Sequence, residues 1–64
     1  MSDQTMLTNE QRDKLAEGWC VVAWQDADGD HWEHGDDAQV WHRAVTLPPG
    51  VPVWVNGYKV SQAW

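Results

Sequence analysis

Residues 25–37 read QDADGDHWEHGDD and hold six carboxylates, Asp26, Asp28, Asp30, Glu33, Asp36 and Asp37, with no Lys or Arg among them. Acidic side chains at this spacing suggest a metal first. A calcium loop of the EF-hand type would take Asp26, Asp28, Asp30, His34 and Asp37 at its positions 1, 3, 5, 9 and 12. That loop needs Gly at its sixth position and a bidentate Glu at its twelfth, where this chain has His31 and Asp37, and its flanks are helices where these read as strands. Zinc would call on His31 and His34, with His42 and Cys20 elsewhere. On a strand His31 and His34 point to opposite faces and do not converge on one ion. No metal or cofactor is expected. Neither is catalysis, because a lone Cys and scattered carboxylates form no nucleophile and base pair, and so short a chain has little room for a preorganised pocket.

What remains is the charge. Residues 1–24 carry −2, residues 25–37 carry −6 and residues 38–64 carry +2, so the block equals the net charge of the whole chain, −6. Alternate residues of an extended chain lie about 6 to 7 Å apart, comparable to the repeat of backbone phosphates. Asp26, Asp28 and Asp30, with Glu33, Asp36 and Asp37 behind them, would then offer a phosphate-like row to an Arg/Lys groove. An exposed Trp, Trp32 inside the block or Trp54, would supply the short-range anchor that charge alone lacks. The plainer role for the block is a solvated loop that keeps a Trp-rich chain soluble. The acidic balance argues against direct contact with nucleic acid or an anionic membrane, and the expected partner is a basic protein.

The elements that must position these residues begin with a polar tail, residues 1–5, expected to fray. TNEQRDKLAEG then predicts a helix over residues 9–17: Thr8 caps it, Gln11 completes a capping box, Glu10 sits in the first turn and Gly18 stops it. Its apolar stripe, Leu7, Leu15 and Ala16, is thin, so it covers a sheet and does not found a core. Residues 19–64 read as a β region. WCVVAWQ and HWEH form a first hairpin around DADG, with Trp24 facing Trp32, Val22 facing His34 and Asp26 opposite Asp30. AQVWHRAVTL reads as a linking strand that ends at Pro48 and Pro49. VPVWVNGYKV is the clearest hairpin, its Asn56-Gly57 a type I′ pair that sets Val55 against Tyr58 and Val53 against Val60, with Trp54 and Lys59 together on the opposite face. The expected fold is α+β: one short N-terminal helix followed by a small antiparallel sheet of two hairpins plus a linking strand, in a single domain over residues 1–64.

A 64-residue chain buries only about 60% of its unfolded surface, and with Cys20 alone no disulfide reinforces it. The six Trp residues are expected to take over that duty, most of them as core. Cys20 reads as a small apolar residue in a reducing compartment. The start MSDQTM has no signal-peptide pattern and no apolar run could span a membrane, so a cytoplasmic protein is expected. An unpaired strand edge allows a homodimer, but a monomer is the expectation.

A very short, acidic, Cys-poor chain with carboxylates packed into one turn, as in QDADGDHWEHGDD, resembles the small phage-encoded inhibitors, and particularly the anti-CRISPR proteins directed at type I Cascade complexes. The resemblance covers chain size and charge distribution and aligns no specific residues. It implies a non-enzymatic DNA mimic acting in the bacterial host cell, occupying the basic DNA channel of a type I CRISPR effector, with the large subunit of a type I-C complex as the expected target. A second resemblance lies at the C-terminus, where PVWVNGYKVSQAW is similar to the end of small chitin- and cellulose-binding modules. Val60 stands where that family has its Tyr. The likeness implies Trp54, Tyr58 and Trp64 as a sugar platform, and the alternative expectation is a small carbohydrate-binding or phage structural module that uses its Trp and Tyr rings.

Overall fold

The computed structural model describes residues 7–60. The tail over residues 1–5 and Trp64 lie outside that range. Helix α1, Asn9–Ala16, carries the expected capping box: the Thr8 hydroxyl accepts from the Gln11 N–H at 3.2 Å and the Gln11 side chain accepts from the Thr8 N–H at 3.2 Å. It ends at Glu17, and Gly18 takes φ +96°, so that Trp19 N–H reaches the Lys14 carbonyl and Gly18 N–H the Leu15 carbonyl. These two bonds satisfy carbonyls the helix leaves open, and only a residue without a Cβ enters the left-handed turn at no steric cost.

Strands β1 (Cys20–Asp26), β2 (Gly29–Gly35), β3 (Val53–Val55) and β4 (Tyr58–Val60) form one antiparallel sheet in the order β2-β1-β3-β4. The expected class, α+β, holds. The C-terminal hairpin has the expected register, Val53 with Val60, Trp54 with Lys59 and Val55 with Tyr58, around Asn56 at φ +54° and Gly57 at φ +88°. Gly57 is fixed twice over, by its left-handed backbone and by Leu7, whose side chain lies 3.3 Å from where a Cβ would stand.

Two expectations about the elements and their pairing fail. The linking strand AQVWHRAVTL is a helix: α2 spans Asp37–Thr46, and the sheet has four strands. Its β-branched and aromatic residues suggest a strand, but Val40, Ala44 and Leu47 recur at helical spacing and turn to the sheet. Asp36 caps the helix by accepting from the Gln39 N–H at 2.7 Å, Asp37 lies in the first turn and Arg43 in the last. The first hairpin is displaced by one residue. Trp24 pairs with His31, Ala23 with Trp32, Val22 with Glu33 and Asp26 with Gly29, so Asp26 does not oppose Asp30, nor Trp24 Trp32, nor Val22 His34. Gly29, at φ +119°, closes the turn one position earlier than a three-residue loop would.

Among the described residues the buried core contains no Trp. Val22, Val40, Ala44, Val53 and Val55 form the buried cluster between α2 and the sheet, and Val21 is buried on the other face, where α1 contacts β1. Ala44, fully buried, packs with Val22 in that cluster, where an indole would need far more room than this methyl takes. The rings therefore stand around the core. Trp24, Trp32 and Trp54 are half-buried, and Trp19 and Trp41 are exposed.

The second hairpin is clasped to β1 through one residue. Asn56 donates its N–H to the Val21 carbonyl at 2.7 Å and accepts the Val21 N–H on its side-chain oxygen at 2.9 Å. Asn56→Gly keeps the left-handed backbone and loses only the side-chain acceptor, and is expected to cost about 1 kcal/mol. Asn56→Ala loses the same acceptor while keeping a Cβ, without the short polar side chain that lets Asn tolerate the left-handed region, and is expected to cost about 2 kcal/mol. Urea unfolding of both variants checks this, and equal midpoints for wild type and Asn56→Gly would remove the clasp from the account.

Candidate functional site

The hairpin β1–β2 carries Asp26, Asp28, Asp30 and Glu33, and the strand period decides which way each one faces. Counting from the buried Val22, the side of the sheet covered by α2 receives Trp24 and Asp26 from β1 and His31 and Glu33 from β2. The other side receives Ala23, Gln25, Asp30, Trp32 and His34. His31 and His34 thus fall on opposite faces, as their spacing demands.

On the α2 side the acids have internal partners. Asp26 Oδ1 accepts the Asp28 N–H at 2.8 Å and lies 3.0 Å from His31 Nε2. The His31 ring stacks on Trp24 with centroids 5.5 Å apart and planes 27° from parallel. Over the same indole, 5.7 Å from its centroid, lies the Arg43 guanidinium, whose Nε donates to Glu33 Oε1 at 3.1 Å. A continuous series therefore runs Asp26, His31, Trp24, Arg43, Glu33. The hydrogen bond from the Asp28 backbone, and then His31, hold the Asp26 carboxyl below its ordinary pKa. The cation over an indole is thus Arg43 on Trp24, while Lys59, paired in register with Trp54, makes no such contact.

Asp36 is spent as the cap of α2. That leaves Asp28, Asp30 and Asp37, all exposed, without an ion pair to any described residue. The row expected from the sequence is divided. Asp26 and Asp30 flank one turn but face opposite ways, and β2 sets Asp36 and Asp37 about 20 Å from the tip. What the structure does bring together is Asp28 at the tip, then Asp30 and Trp32 on one face, with the Trp32 ring 6.1 Å from His34.

Sequence reasoning missed Arg43, Trp24 and His31 as companions of the acids. The available signal was Asp36 as a cap followed by Val40, Ala44 and Leu47, which makes Arg43 a last-turn residue able to reach back over the sheet.

A cleft of about 130 Å³ opens beside α1, lined by Thr8, Gln11, Ala23, Trp24, Gln25, Asp30, His31 and Trp54. Two of the three rings of the expected sugar platform are set apart. Trp54 and Tyr58 lie on opposite faces of the β3–β4 hairpin, since Tyr58 pairs with the core residue Val55 and Trp54 with Lys59, and Trp64 lies outside the described residues. Among the described residues no group of three or more His, Cys, Asp or Glu is placed to hold a metal, and no helix is long and apolar enough to cross a membrane. Comparison with protein-family models, with curated proteins and with solved structures gives no match. Function here rests on the geometry.

Because the folded Asp26 has a lowered pKa, the stability it contributes is present above the ordinary carboxylate value, about 3.9, and is lost as pH falls through the folded value. Asp26→Asn has no such proton to take up. Urea midpoints followed from neutral to acid pH should fall less steeply for the variant below about pH 4. Parallel curves for the two proteins would show that the Asp28 N–H and His31 do not stabilise the ionised form.

Proposed function

We propose that this protein is a non-enzymatic inhibitor that binds a basic, nucleic-acid-binding surface of a bacterial protein, as an acidic DNA mimic in the host cytoplasm. The observation that carries the reading is the hairpin tip: Asp28 and Asp30 are exposed beside Trp32, and no Lys or Arg among the described residues forms an ion pair with them. An acidic tip without its own cations gains by meeting a partner that brings them, and the chain's net charge of −6 steers it to such a partner. Two of the chain's four Lys and Arg residues are used locally. Arg43 pairs with Glu33 and Lys14 lies 4.0 Å from Glu17.

The division of the acids refines which of them make contact. Asp28 and Asp30 are the leading charges, with Trp32 as the ring that can bury against the partner, and Asp37 is a separate charge at the far end of β2. Asp26, Glu33 and Asp36 contribute to the field while holding the hairpin and α2 in place. A type I CRISPR effector, whose DNA channel is a basic groove, is the partner class that chain size and charge distribution favour. The protein contacts the groove and not the nucleic acid or a membrane.

The test is DNA binding by such an effector in the presence of the purified protein. Asp28→Lys with Asp30→Lys is expected to abolish inhibition while circular dichroism stays unchanged, and wild-type inhibition should weaken as salt rises. Glu33→Gln, whose partner is already Arg43, should leave inhibition close to wild type. Full inhibition by the double reversal at physiological salt would end this reading.

A further inference from the structure

Strand β2 is the outer strand of the sheet, and among the described residues nothing pairs with its outer edge. Its backbone can be assigned group by group. Asn56 N–H bonds the Val21 carbonyl and Gln25 N–H bonds the Pro52 carbonyl, so Val21 and Gln25 direct their backbone groups to the β3 side. Alternation then turns the backbone groups of Val22, Trp24 and Asp26 to β2, where their partners Glu33, His31 and Gly29 turn to meet them. Asp30, Trp32 and His34 are left with N–H and C=O pointing outward.

The two edges of the sheet are treated differently. β4, at the other side, is three residues long and carries Lys59, both of which discourage edge pairing. β2 is seven residues long and has no Pro, Lys or Arg. Such an edge accepts another strand.

We propose that β2 pairs edge to edge with β2 of a second copy of this chain, antiparallel about a two-fold axis through Trp32, giving a continuous eight-stranded sheet. The sequence of the strand selects the register. About Trp32, Asp30 faces His34 of the second copy, His31 faces Glu33 of the second copy, and Gly29 faces Gly35 of the second copy. Every acid meets an imidazole, and all seven residues are paired. Centring on Glu33 would set Glu33 against itself and Asp30 against Asp36, and centring on His31 would leave Glu33 against Gly29. The register about Trp32 also makes Asp30, Trp32 and His34, whose backbone groups point outward, the hydrogen-bonded positions.

The side chains of that face support the contact. Trp32 meets its own copy across the axis, and Trp19, 45% exposed, packs edge-on against His34 at 5.8 Å, so apolar rings lie beside the new ladder. One like-charge approach remains, Asp28 to Asp36 of the second copy. It falls beyond the paired residues, and Asp36 is already turned to the Gln39 N–H. The pairing goes beyond the inhibitor reading and is measured with no partner present, so either can fail without the other.

The experiment is sedimentation equilibrium of the full chain from micromolar to millimolar concentration, joined to amide hydrogen exchange read by NMR. The expected result is a monomer–dimer equilibrium in which the Asp30, Trp32 and His34 amides become protected as the dimer forms. His34→Glu, which sets like charges opposite each other twice per dimer, should weaken association about ten-fold, and Asp30→Lys combined with His34→Glu should restore it. A monomer throughout the range overturns the proposal. So does a dimer whose Asp30, Trp32 and His34 amides exchange freely, or one that His34→Glu leaves unchanged.

Discussion

The register between β1 and β2 is the constraint on which the rest of the molecule depends. With Trp24 opposite His31, the strand period sends Asp26 and Glu33 to the side of α2 and Asp30 to the other side. The same register puts Glu33 within reach of Arg43 and lets His31 stack on Trp24 while bonding Asp26. A shift by one residue would exchange the faces of every side chain on β2. The division of six carboxylates into those that hold the hairpin and those left for solvent is therefore a consequence of strand pairing, and no local property of the acidic block determines it.

β1 can set this register because it is fastened on both sides. β2 pairs along its full length, β3 pairs with Val22, Ala23 and Trp24, and Asn56 grips Val21 through backbone and side chain together. Above it, α2 lowers Val40 and Ala44 onto Val22, Val53 and Val55. In a chain this short, close approach through small side chains gives a dry centre that bulky rings would prop open. The indoles then shield its margins, which suits a residue with a large apolar body and a polar N–H.

Some of this was legible in the sequence. The capping box at Thr8 and Gln11, the stop at Gly18 and the Asn56-Gly57 hairpin are local signals in which one residue type answers one backbone need, and each appears where it was expected. Residues 37–46 were not, because VWHRAVT suits a strand by propensity while Val40, Ala44 and Leu47 suit a helix by period, and contact with the sheet decides between them. The first hairpin was legible as a hairpin but not in register, since DADG admits either a two-residue or a three-residue loop. The acidic block was legible as charge. Which acids are free depends on Arg43 and His31, and those approach only after α2 and the register are in place.

The register can be read directly from cross-strand contacts between Hα protons, which are shortest at antiparallel pairs that do not share hydrogen bonds. Nuclear Overhauser effects are expected between Hα of Ala23 and Hα of Trp32, and between Hα of Gln25 and Hα of Asp30. Effects joining Hα of Ala23 to Hα of Glu33, and Hα of Gln25 to Hα of His31, in their place would contradict this register, because Asp26 and Asp30 would then face the same side and the assignment of the carboxylates to separate roles would fall.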